Sequence, residues 1–165
     1  MALDAYLTLD GTKQGVIKGP CTLPGREDSI VVVETTHELS TPVDSVSGQA
    51  SGKRIHKPLK IVKAVDRSSP KLFQALVTSE TLKTVKLRFW APGSQAGTVA
   101  ATEVHYFTIT LTNAHIRNIQ FSQPSRWDPN LRNVPDHEEI SFTYGRIQWE
   151  TLGPHGSIAV DDWLR

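Results

Sequence analysis

The sequence predicts a mainly β fold: a β-barrel or sandwich of two sheets with one short flanking α-helix at about 69–79. Three observations carry this. Apolar residues recur at every second position along most of the chain, the period of a half-buried strand. Loops rich in Gly, Pro and Ser separate those runs, reading GPCTLPGRED, STPVDSVSGQASG, APGSQAG and SQPSRWDPNLRNVPD. One segment only, following the SSP at 68–70, spaces its apolar residues for a helix. With 165 residues the chain fits a single domain, 1–165, large enough for a core without staples.

The elements follow in order. Leu3, Ala5, Leu7 and Leu9 alternate with Asp4, Tyr6 and Thr8, as in a strand with one buried face. The run from Ile30 to Leu39 is rich in β-branched residues and reads as strand. A long polar loop spans about 41–52, and a loop of that length inside a domain is usually functional or disordered. From Ile55 the apolar residues Ile55, Leu59, Ile61 and Val65 share one face with Lys57 and Lys63, while His56, Lys60 and Asp66 lie on the other. Leu72, Phe73, Leu76 and Val77 then place one helical face on the sheet, with Ser68 or Ser69 as cap and Pro70 in the first turn. Val85, Leu87 and Phe89 alternate with Lys86, Arg88 and Trp90. The stretch from Val104 to Phe121 is long enough for one bent strand or two short ones. Between Glu139 and Trp149 the apolar positions change from even (Ile140, Phe142, Tyr144) to odd (Ile147, Trp149), which predicts a bulge near Gly145.

Composition narrows the function. The 38% hydrophobic and 21% charged content is ordinary for a soluble domain, and the net charge of +1 gives little whole-molecule attraction to nucleic acid or anionic membrane. A single cysteine, Cys21, excludes an internal disulfide and a Cys-based zinc cluster. MALDAYLTLDG places Asp4 and Asp10 where a signal peptide needs a basic start and an apolar centre, so no N-terminal export signal is expected. The longest aliphatic run, Ile30 to Val33, is far short of the ~20 residues of a membrane span.

Tests for chemistry come out negative. GQASGKR has three residues between its glycines, carries Arg54 where a magnesium-binding hydroxyl belongs, and precedes a strand, so it is no phosphate loop. The six histidines include no HExxH pair. Asp136 with Glu138 and Glu139, and Asp161 with Asp162, read as solvated carboxylates. No nucleophile motif is present. The expectation is a chain without catalytic residues, metal or cofactor.

The basic stretch KRIHKPLKIVKAVDR holds Lys53, Arg54, Lys57, Lys60, Lys63 and Arg67, six of the 18 Lys and Arg. It contains no aromatic residue for stacking on bases, which weakens a nucleic-acid reading. From Lys53 to Lys71 there are seven bases against one acid, a net +6; from Asp136 to Arg165, six acids against two bases, a net −4. Opposite charge on two parts of one chain suits a head-to-tail contact between copies, with Lys53, Arg54, Lys57, Lys60, Lys63 and Arg67 facing Glu138, Glu139, Asp161 and Asp162. Two solvated faces without a partner are the alternative.

SGKRIHKPLKI, SSPKLFQALVTSETL, HYFTITLTNAHI, EEISFTYGRIQW and DDW, in this order, resemble the haemolysin-coregulated protein family, the tube proteins of bacterial type VI secretion. The resemblance spans 1–163. The chain departs from it at Gly145, where relatives usually carry a longer, often basic residue, and in the loops GPCTLPGRED and SQPSRWDPNLRNVPD, where the family varies. It implies a two-sheet barrel with a flanking helix and a non-enzymatic subunit of hexameric rings. These rings stack into a hollow tube inside a contractile sheath, with a spike at the tip and effector cargo in the lumen. It also implies synthesis in the bacterial cytoplasm and secretion without a signal peptide, with no nucleic acid and no stable membrane insertion. The competing reading is a monomeric β-barrel that binds nucleic acid through 53–67.

Overall fold

The computed structural model describes residues 3–93 and 103–163. Its strands and helix are β1 (Ala5–Gly11), β2 (Gly15–Ile17), β3 (Ile30–Val32), β4 (Glu34–Thr36), β5 (Leu39–Ser40), β6 (Ile55–His56), β7 (Leu59–Ala64), α1 (Ser69–Val77), β8 (Leu82–Pro92), β9 (Glu103–Ser122), β10 (His137–Thr143), β11 (Arg146–Thr151) and β12 (Ile158–Asp162). Hydrogen-bonded neighbours run β1–β8–β9–β10–β7–β4. The Val33 amide, bonded to the Val62 carbonyl at 2.9 Å, continues β4 back to β3, and β3 pairs with β1. The circuit therefore closes into a barrel, which removes the exposed edges an open sheet would leave. Outside it, β2 pairs with the end of β1, the β11–β12 hairpin extends from β9, and β5–β6 form a separate two-stranded ribbon.

Alternation predicts the core well. Leu7, Leu9, Leu59, Ile61, Val85, Leu87, Ile140, Phe142 and Ile147 are all 2% exposed or less and meet Leu72 and Ala75 of α1. The β9 region is one strand of 20 residues shared by both halves of the barrel: its first part pairs with β8 and β11, its last part with β10.

No extra residue sits at Gly145. Thr143 opposes His115 and Arg146 opposes Thr112, so the register against β9 is unchanged across the gap. The face switches because both chains turn together. Asn113 adopts φ 51°, which asparagine tolerates better than most residues, and the Gly145 amide donates to the Thr112 and Asn113 carbonyls at 3.1 and 3.2 Å. The bulge lies at Arg117, since Ser141 opposes Asn118 while Phe142 opposes Ile116.

The helix matches the predicted position but not its predicted details. Ser68 is the N-cap residue without a capping side-chain bond; its hydroxyl donates to Asp66 instead. Leu72, Ala75 and Leu76 form the inner face, while Phe73 and Val77 are 37% and 72% exposed. Three- and four-residue spacing selects the buried face, and Phe73 falls outside it.

The 41–52 segment is built, not open. Val43 bridges Ala50, the Ser51 amide donates to the Pro42 carbonyl at 2.8 Å, and Asp44 accepts the Val46 and Ser47 amides at 3.0 and 2.7 Å. It is a hairpin that projects from the β5–β6 ribbon. The loop expected at APGSQAG lies largely outside the described residues, as does Arg165.

Lys63 is 0% exposed on the inner face of β7, directly opposite Glu138 of β10, itself 1% exposed. Its ammonium donates to Glu138 and to the Ala64 carbonyl at 2.9 Å and to Ser69 Oγ at 3.0 Å, with Asp66 3.3 Å away. Ser69 Oγ in turn donates to Glu138 at 3.0 Å, which ties the start of α1 to both strands. Removing one member of a buried pair strands the other charge. Lys63→Met and Glu138→Gln should each destabilise the fold by about 3–5 kcal/mol in urea unfolding, and Lys63→Met with Glu138→Leu together by clearly less than the sum. Single variants that unfold at the wild-type midpoint would remove this role.

Candidate subunit interface and the node beneath it

Five of the six bases in 53–67 find an acid within the same chain. Arg54 grips Asp161, Lys57 pairs with Glu38 at 2.9 Å, Lys60 with Glu139 at 3.4 Å, Lys63 with Glu138 at 2.9 Å, and Arg67 with Asp28 at 2.9 Å. Lys53 is exposed and has no ion pair among the described residues. The expected contact between a basic and an acidic region thus exists inside one chain, on β7–β10 and between β6 and β12. Lys63 and Glu138 cannot present themselves to a neighbour, because both are buried. Lys57, Lys60, Arg67 and Glu139 remain at the surface, already neutralised. Asp162 points to Arg146 at 3.7 Å. Of the six bases in 53–67, Lys53 alone is without an acidic partner among the described residues.

The same side chains build an unpredicted centre. Arg54 donates from Nε to one Asp161 oxygen and from Nη2 to the other at 2.6 Å, and Nη2 also reaches the Asp162 carbonyl at 2.9 Å. His56 Nε2 lies 2.7 Å from Asp161 Oδ2, and its Nδ1 lies 2.8 Å from the Tyr144 hydroxyl. That hydroxyl also meets His37 Nε2 at 2.7 Å. The Trp163 ring packs on His56 with centroids 4.5 Å apart, and Trp149 lies 6.3 Å from His37. Five residues from distant parts of the chain form one hydrogen-bonded line: Arg54, Asp161, His56, Tyr144, His37.

Each position has a structural cause. His56 is the last residue of β6, and His37 precedes β5, so both stand at the root of the projecting hairpin. Tyr144 occupies the turn between β10 and β11, where the two halves of the barrel meet, and is 6% exposed. Asp161 lies on the outer strand β12. The line therefore joins hairpin, barrel and C-terminal strand. Burial, helped by the Asp161 charge, pushes the Tyr144 hydroxyl up to about 12, so it stays protonated. Hydrogen bonds from Arg54 hold the Asp161 carboxyl below its ordinary range despite partial burial, and His56 adds to this.

Sequence reading misses this node because a histidine 19 positions from another, and 88 positions from a tyrosine, carries no local signal. A signal of another kind is present. KRIHKP supplies Arg54 and His56, FTYGRIQW supplies Tyr144, and DDW supplies Asp161 and Trp163: three stretches that carried the family resemblance converge here.

Beside the node, β12 is an outer strand that among the described residues pairs with β11 alone, and Ile158 and Val160 on it are 62% and 42% exposed. Among the described residues no three His, Cys, Asp or Glu side chains converge as metal ligands would, and no helix is long and apolar enough to cross a membrane.

Asp161→Asn removes the charge that two donors share. At neutral pH it should lower stability by about 1.5–3 kcal/mol, the scale of hydrogen bonds to a charged group. The folded-state carboxyl is depressed, so its contribution is present above the unfolded value near 3.9 and is lost as pH falls through the folded one. Urea unfolding of both proteins should accordingly differ at pH 7 and converge in strong acid; equal midpoints at pH 7 would refute this role.

The chain matches the family model described as "Type VI secretion system effector, Hcp" over residues 6–151. It is 37% identical over 174 residues to the "Major exported protein" of Pseudomonas aeruginosa, covering 99% of this chain and 96% of that one. Among solved structures, it superposes on a crystal structure of an Hcp protein with a TM-score of 0.85, at 29% identity and covering 97% of each chain. It superposes on Hcp1 from E. coli EAEC 042 with a TM-score of 0.82, at 30% identity over 98% of this chain and 99% of that one. Sequence motifs, barrel topology and these matches agree along nearly the whole length: this chain belongs to the haemolysin-coregulated protein (Hcp) family of type VI secretion.

Proposed function

We propose that the chain is a structural, non-catalytic tube subunit. Six copies meet head to tail in a ring, and rings stack into a hollow tube inside a contractile sheath, behind a spike tip. Effector cargo is carried and chaperoned in the lumen. The subunit is made in the bacterial cytoplasm and is exported. The observation that carries this reading is the match to Hcp proteins across the complete barrel, hairpin and C-terminal strand rather than in one motif.

The geometry favours particular contact elements. Barrel closure leaves β12 as an open edge with exposed apolar residues, and the 41–52 hairpin carries Val43 and Val46 at 62% and 95% exposure. Apolar side chains held on a braced hairpin suit contact with a neighbouring copy. Surface charge has a smaller part. The exposed Lys53, Lys57, Lys60 and Arg67 and the half-buried Glu139 and Asp162 tune association at the rim, while Arg54 and Asp161 set the position of the strands that make contact.

Native mass measurement of the purified chain should give a hexamer; a monomer at high concentration would overturn the ring. Deleting Val43–Ser51 should weaken assembly of rings or of stacks, and intact assembly without the hairpin would remove it from the contact. Lys60→Glu places a carboxylate beside Glu139 and should slow assembly chiefly at low salt, as exposed charges are screened. Assembly rates unaffected at every salt concentration would eliminate the rim charges from association.

A further inference from the structure

The line Arg54–Asp161–His56–Tyr144–His37 has only one consistent pattern of protons while both rings are neutral. Asp161 is ionised and accepts only, so His56 Nε2 carries a hydrogen and donates to it. A neutral His56 then has a bare Nδ1, which accepts the Tyr144 O–H. The Tyr144 oxygen is left to accept from His37 Nε2–H. Every polar atom shared along the line is satisfied.

One added proton can be absorbed, on the free nitrogen of His37 or by turning the tyrosine hydrogen toward His37. A second cannot. With both rings cationic, His56 Nδ1–H and His37 Nε2–H aim at one oxygen, and the Tyr144 hydrogen has no acceptor. Two positive rings also face each other across a hydroxyl that is 6% exposed. Burial, and next the neighbouring His56, already hold His37 below the ordinary histidine range. The remaining charges nearby do not relieve this. Asp161 is shared with Arg54, Asp162 is near Arg146, and Glu38 pairs with Lys57, with Lys60 further along the groove beside His37.

We infer that this line is a proton-operated latch: it fixes the root of the 41–52 hairpin to the barrel while both imidazoles are neutral, and lets go when acid gives the pair its second proton. Acid acts in that direction because a ring held below its unfolded pKa contributes stability that is full above about 6.5 and is lost as pH falls toward the folded value.

Amide hydrogen exchange on the full chain reads this directly. Between about pH 7.5 and pH 5, after correction for intrinsic rates, protection at Lys57 and in the β5–β6 ribbon should fall by about tenfold or more, while the β8–β9 ladder stays within about twofold. The Lys57 amide is a suitable probe because it donates to the Glu38 carbonyl at 3.1 Å beside the node. Tyr144→Phe removes the shared oxygen and should leave the ribbon weakly protected at both pH values. His37→Gln keeps an N–H donor that cannot take a proton, and should retain protection into acid. No change in the wild-type ribbon, an equal fall across the barrel, or a His37→Gln profile matching the wild type would each overturn the latch. The wild type and His37→Gln decide the matter even if Tyr144→Phe does not fold. The exchange result does not depend on the tube reading. A chain that never assembles overturns that reading alone, and a ribbon indifferent to pH overturns the latch alone.

Discussion

The cross-strand pair Lys63–Glu138 is the constraint on which much of the rest depends. Both residues face the core, and each is the direct partner of the other in the β7–β10 ladder. A slip of one residue would turn Lys63 outward and leave Glu138 buried without its cation. Register is thus enforced by the energy of an orphaned charge as well as by the apolar pattern. The fixed register lets β7 reach β4 on its other edge, β4 continues to β3, and β3 closes the barrel on β1. The same ammonium and carboxylate hold Ser69, so the helix is docked by the group that sets the strands.

The basic stretch illustrates how linear charge density and surface charge differ. In sequence it is a block of six bases with one acid; in the fold, its acids come from β10, β12 and the segments at Asp28 and Glu38. Antiparallel neighbours in a barrel are far apart in sequence, so neutralisation by cross-strand partners leaves no local trace. A chain with net charge +1 has little excess charge to gather anywhere. In the assembly proposed above, specificity between copies would fall to shape, apolar contact and open backbone edges, with rim pairs affecting mainly the rate of encounter.

The same distinction explains what the sequence made legible. Period-two runs located β1, β7, β8, β9 and β10 and most of the core, because a half-buried strand records its inner face in every second residue. Lys63 was even placed on that face by alternation. Details that depend on a partner strand were not legible. The face switch at Gly145 looked like a bulge because sequence cannot show that Asn113 turns opposite it, and the true bulge at Arg117 is marked only by a change from Ala114 and Ile116 to Ile119 and Phe121, of which Ile119 is half-buried and Phe121 exposed. Ser68 has the chemistry of a helix cap, but Asp66 two residues earlier takes its hydroxyl. Cross-strand pairing fixes the first two outcomes, and a contact two residues away fixes the third.

The node at Tyr144 follows from the same architecture. The two residue pairs of β5–β6 join the legs of the hairpin to each other and by themselves do little to fix its direction on the barrel. His37 and His56 flank that ribbon and both terminate on one hydroxyl, so the two legs of the hairpin are held at a common point. Asp161 then joins that point to β12, and Arg54, on the leg leading into β6, closes the connection from the hairpin side. Hairpin and outer strand, which both carry exposed apolar residues, are thereby held in a fixed relation. Pre-setting that relation would lower the ordering cost of the proposed association, since the contact surface would not have to be assembled from mobile parts. The fastening is made from imidazole, carboxylate and hydroxyl rather than from packed hydrocarbon, which is what would make its strength depend on protons in the proposed latch.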